Sequence, residues 1–97
     1  MKTFADISFS IVKNPYAGIV GKIELNNGLE ISVIMHEGSY GGKLGLWEVA
    51  VFDKKGTVDL ECRNHDVIGY LTFTDLEKKL QEIQNELNNK QGDNNET

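Results

Sequence analysis

Three runs of alternating apolar and polar residues fill the first third of the chain, and the short connections between them leave few ways to pair them. In residues 4–13, FADISFSIVK, Ile7, Phe9 and Ile11 share one face while Asp6, Ser8 and Ser10 share the other. Side chains alternate across a strand, so this pattern reads as a half-buried strand. NPYAG (14–18) reads as a turn, with Pro15 presetting φ and Gly18 free to take a positive one. Alternation resumes in residues 19–26, with Ile19, Gly21, Ile23 and Leu25 on one face, and in 29–35, with Leu29, Ile31, Val33 and Met35. A one-residue slip would turn every side chain to the wrong face. A two-residue Asn27-Gly28 turn sets Leu25 against Glu30 and mixes the faces. A three-residue loop, 26–28, sets Leu25 against Leu29, Ile23 against Ile31 and Gly21 against Val33, with Gly28 left-handed, and is the expected register. For the first hairpin, a five-residue loop over 14–18 sets Ile11 against Gly21, Phe9 against Ile23 and Ile7 against Leu25.

LWEVAVF (46–52) is apolar on nearly both faces, as a central strand is. Trp47, Val49 and Val51 form one face; Leu46, Ala50 and Phe52 form the other around Glu48. A turn at DKKG (53–56) would set Val51 against Val58, Val49 against Leu60 and Trp47 against Cys62. RNHD (63–66) reads as a polar loop, and VIGYLTF (67–73) as a sixth extended segment. Thr74 and Glu77 have capping-box spacing before DLEKKLQEIQNEL. Leu76, Leu80, Ile83 and Leu87 form a narrow helical stripe, which Phe73 extends backward. That stripe serves a core, a seam between two copies, or both. The expected fold is α+β: an antiparallel five- to six-stranded meander with one C-terminal helix packed on it. One domain spans residues 1–88, and residues 89–97, without an apolar side chain, are expected to form a disordered polar tail.

Leu, Ile, Val and Phe supply 28 of 97 residues, enough for a small core. A domain this small gains from oligomerising, so a homodimer or higher homo-oligomer is expected. The net charge is −5, with 15 acidic and 10 basic residues, which argues against non-specific nucleic-acid or anionic-membrane binding. Asp6 interrupts the apolar residues of MKTFADISFSIV, so no signal peptide is expected, and no stretch is apolar enough to span a membrane. A single cysteine, Cys62, excludes an internal disulfide and suits a reducing, cytoplasmic setting.

The candidate site is HEGSYGGKLG (36–45), a ten-residue connection with four glycines, longer than hairpin loops usually are. It lacks the Lys-Ser/Thr pair of a phosphate-binding P-loop and has no G-x-G-x-x-G run. A cradle of N–H groups at Gly38, Ser39, Gly41 and Gly42 could still take an anion, with Tyr40 stacking and Lys43 meeting a phosphate. The plain alternative is a long twisted connection whose glycines only supply positive φ. Trp47, Tyr16 and Arg63 are further candidate contacts, although a tyrosine placed like Tyr16 more often folds back over the sheet edge and RNHD is more often a solvated loop. His36, His65 and Cys62 lack zinc-site spacing, and Cys62, His65 and Asp66 make a poor nucleophile set, so neither cofactor, metal nor catalytic residue is expected.

NPYAGI (14–19), SYGG (39–42), GLWEVAVF (45–52) and DVIGYLT (66–72) occur in that order. In this the chain resembles a group of short uncharacterised proteins of tailed bacteriophages and prophages, which read N-P-Y-G-G, Y-G-G, G-L-Y-E-L-A-V and D-V-x-G-Y-L. It departs from that pattern at Ala17 and Trp47. The resemblance implies a host-takeover or anti-defence factor, acting in the infected host's cytoplasm by binding and not as an enzyme. Such a factor would block or sequester a host protein through residues 36–45. The alternative is a sponge for a small nucleotide-like ligand in the same loop. A third reading, a single-strand nucleic-acid binder, draws on topology alone. The outward face of Asp6, Ser8, Ser10, Lys22, Glu24, Glu30 and Ser32 lacks the basic groove and stacking platform it needs.

Overall fold

The computed structural model describes residues 1–58 and 67–96. Among the described residues, six strands form one antiparallel sheet: β1 (Ser8–Val12), β2 (Gly18–Glu24), β3 (Glu30–His36), β4 (Trp47–Asp53), β5 (Gly56–Thr57) and β6 (Val67–Leu71). β1 to β4 are a meander, and β5 and β6 share the far edge of β4. One helix, α1 (Phe73–Glu96), packs on one face, so the fold is α+β.

The second hairpin has the register its alternation dictates, with Ile23 opposite Ile31 and Gly21 opposite Val33. Residues 26–28 form a single 3-10 turn and Gly28 takes φ 77°. The first hairpin differs from expectation by two residues. Phe9, not Ile11, lies opposite Gly21, and Ile11 faces Ile19. A shift of two keeps every side chain on its face, so alternation cannot detect it. The Phe9 ring lies over Gly21, where a Cβ would stand 2.5 Å from Cδ1. Strand β1 also starts late, because residues 4–6 form a 3-10 turn. There Thr3 N–H donates to Asp6 Oδ2 at 2.8 Å, which holds the Asp6 carboxyl below its usual pKa.

β4 is central, with Val49, Ala50 and Val51 buried. Val58 N–H donates to Val51 O, as the DKKG turn requires. Toward its start, β4 pairs along this edge with β6. Val49 pairs with Ile68 and Trp47 with Leu71, so β6 holds the positions anticipated for Leu60 and Cys62. Those two residues and RNHD lie outside the described residues.

Leu76, Leu80, Ile83 and Leu87 are all buried against Ile23, Ile31, Val33, Val49 and Val51. The stripe is spent on the chain's own core. The capping box falls two residues earlier than Thr74/Glu77: Asp75 N–H donates to Thr72 Oγ1 and Thr72 N–H to Asp75 Oδ2. Thr72 wins because Phe73 starts the helix, and its ring meets Phe4 at 4.9 Å. α1 runs to Glu96 and so takes in the polar residues from 89 onward.

Trp47 joins Phe4, Phe9 and Phe73 in an aromatic cluster beside the first turn of α1. Buried Gln84 fastens the N-terminal segment to the helix. Lys2 N–H donates to Gln84 Oε1, and Gln84 Nε2 donates to Lys2 O and Leu80 O. Gln84→Ala is expected to cost about 1–2 kcal/mol, because the Lys2 backbone loses both partners. A urea titration reads that loss, and amide exchange of residues 2–7 should accelerate more than that of β3.

Candidate functional site

Residues 36–45 form a compact, internally bonded loop at the end of the sheet where α1 begins. The Ser39 hydroxyl accepts from His36 N–H at 3.0 Å and donates to His36 O at 2.8 Å. Ser39 N–H donates to the same carbonyl, closing a tight turn. Gly42 backs onto that carbonyl so closely that a Cβ would lie 1.8 Å from it. Gly41 and Gly45 take φ 91° and 75°, flanking a 3-10 turn over Gly42–Leu44. Gly38 N–H donates to His36 Nδ1 at 3.0 Å.

Eight of the ten N–H groups in residues 36–45, all but those of Gly41 and Lys43, donate to partners within the chain. An anion cradle needs such groups pointing outward together. The amides of Gly38, Ser39 and Gly42 are therefore committed, and the glycines serve first as joints of a turn.

What the loop does gather is tyrosine. The chain has three, and all three pack on it. Tyr16, from the first hairpin, stacks on His36 with centroids 5.5 Å apart and planes 10° from parallel, over Gly38. The first hairpin is pinned there by Ala17 N–H to Glu37 Oε1 and Glu37 N–H to Ala17 O. Tyr40 sits over Gly69, where an added Cβ would come within 2.3 Å of Tyr40 Cβ, and its N–H donates to Glu48. Tyr70 N–H donates to Tyr40 O, and its backbone packs on Gly41. Exposures are 48%, 61% and 60% for Tyr16, Tyr40 and Tyr70. Lys43 and Leu44, also exposed, lie on the loop.

Sequence reasoning misses Tyr70, because VIGYL reads as plain strand. It occupies φ 58°, a left-handed conformation that glycine takes freely and a bulky residue takes at a cost of about 1–2 kcal/mol. It falls where the β4–β6 register shifts, at a bulge between Trp47 and Val49. Trp47 is not part of the tyrosine cluster; its ring turns to Phe4 and Phe9. Arg63 lies outside the described residues. Among those described, no three His, Cys, Asp or Glu side chains group as metal ligands, and no helix is long and apolar enough to cross a membrane. On the outer face Lys22 reaches Glu24 and Glu30 at 3.4 Å each, and the Glu30 and Glu24 carboxylates raise its pKa.

The chain matches no protein-family model, no curated protein and no solved structure.

Proposed function

We propose that this chain is a small non-enzymatic binding protein of phage type, which blocks or sequesters a host protein through the surface formed by Tyr16, Tyr40 and Tyr70 around residues 36–45. The observation that carries this reading is Tyr70. An exposed tyrosine is kept at φ 58°, where glycine would be easier, beside two other exposed tyrosines. Strain of this kind gathers at functional positions. Tyrosine offers large contact area at little entropic cost and a hydroxyl at its tip, which suits a protein contact. Lys43 and Leu44 extend the surface with one cation and one apolar side chain. Its place of action, on this reading, is the cytoplasm of the infected host cell. A nucleotide-like ligand is the weaker reading, because the loop's amides are largely spent. Single-strand nucleic acid fares worse, because Lys22 on the outer sheet face is paired with glutamates.

The test is capture from host lysate with the intact chain and with Tyr40→Ala/Tyr70→Gly. The wild type should recover a discrete protein, and the double variant should lose at least about tenfold in affinity for it. The variant should melt at or above the wild-type temperature, since the Tyr70→Gly change relieves the backbone. Equal capture by both proteins would sink the proposal. A thermal shift with nucleotides but no captured protein would favour the ligand reading instead.

A further inference from the structure

We infer that the outer edge of β1, which no described strand covers, is a self-association surface on which a second copy of this chain adds its own β1 antiparallel, joining two sheets into one. The two edges of the sheet are treated differently. On the far side β5 is only Gly56–Thr57, and β6 carries the bulge at Tyr70. Short strands and bulges are the usual means of blunting an edge. The other edge, β1, has neither: Ser8–Val12 reads SFSIV, five residues without a charge, a proline or a bulge. Ile11 stands on the same face as the core yet is 83% exposed. It borders an apolar cleft lined by Phe4, Phe9, Ile19 and Trp47.

A second copy fits this edge because the strand is self-complementary. A two-fold axis at Ser10 is the one placement that pairs all five residues of β1 with β1. It sets Ser10 against Ser10, Ser8 against Val12, and Phe9 against Ile11 of the second copy. Phe9 and Ile11 lie on one face, so each exposed Ile11 gains an aromatic neighbour across the join. An axis at Ile11 would instead oppose Phe9 with Lys13, and one at Phe9 would run Val12 against the 3-10 turn at Asp6. Charge agrees with the antiparallel sense. Exposed Asp6 flanks one end of β1 and exposed Lys13 the other, so each end of the join brings opposite charges together. The tyrosine surfaces then lie at opposite ends of the joined sheet, giving two separate copies of the proposed site.

Sedimentation equilibrium on the full chain should show a reversible monomer–dimer equilibrium. Ile11→Lys should weaken it by about tenfold or more, while melting curves taken at a dilution where neither protein dimerises should coincide. In a Cys62→Ser background, Ser10→Cys should cross-link on mild oxidation, because a two-fold at Ser10 brings the two Cα atoms within disulfide range. Ser8→Cys should not, since it faces Val12. A chain still monomeric at about 1 mM would overturn the proposal. So would a dimer that Ile11→Lys leaves intact, or one that Ser8→Cys cross-links as readily as Ser10→Cys. Capture of host protein by the tyrosine surface is read separately, so either proposal can fail without the other.

Discussion

Leu80→Ala is expected to lower stability by about 3 kcal/mol, read as a fall in the urea midpoint with little change in slope. Leu80 is fully buried and lies midway along the α1 stripe. Sheet residues Ile31, Val33, Val49 and Val51 are also fully buried, so the layer has little slack to close the cavity. A chain of this length has about 5–15 kcal/mol in total, so one truncation removes a large share. Exposed Lys78 on the same helix supplies the control, since Lys78→Ala should stay within about 0.5 kcal/mol. A near-neutral Leu80→Ala would mean that α1 does not pack on the sheet through this stripe.

The stripe is legible because helical spacing and burial are one physical fact seen twice. The β2–β3 register is legible for a similar reason. Its loop admits two lengths that differ by one residue, and only one keeps apolar against apolar. The β1–β2 register is not, because shifts of two leave the pattern intact. There the deciding contact is Phe9 lying over Gly21, which is a matter of shape and not of polarity. The same blindness hides the place of β6. Nothing in VIGYL announces that it takes β4's edge at Trp47 and Val49. The link from Gln84 to Lys2 spans 82 positions and rests on a side chain that a helix normally shows to solvent.

At the candidate site, the position of the loop is legible and its construction is not. Glycine density locates residues 36–45, yet it cannot tell an anion cradle from a turn. That depends on where N–H groups point, and eight of ten are spent within the chain. Tyr16 reads either as a loop-tip contact or as a ring folded back over the sheet edge, and the structure lays it on His36 and over Gly38. Trp47 is drawn to the loop by nearness in sequence, but strand alternation turns it to Phe4 and Phe9. Tyr70 escapes notice because a left-handed tyrosine is the kind of local exception that propensity argues against.

Gly42→Ala is expected to cost about 3 kcal/mol and to abolish capture by the tyrosine surface. The new Cβ would stand 1.8 Å from His36 O and 2.4 Å from Ser39 Oγ. The carbonyl cannot move aside freely, since it accepts from both the N–H and the hydroxyl of Ser39. Gly45→Ala makes the contrast. Its Cβ meets nothing within 4 Å, and only φ 75° opposes it, for about 1–2 kcal/mol. Two glycines three residues apart thus differ for different reasons, one a close approach and the other a conformation. Thermal melts of both variants should rank Gly42→Ala well below Gly45→Ala, and equal melts would show that the turn does not close on His36. Loss of capture in Gly42→Ala therefore reports a collapsed support, not a contact. Only substitutions that leave the turn standing, such as those at Tyr40 and Tyr70, can say whether the surface built on it binds anything.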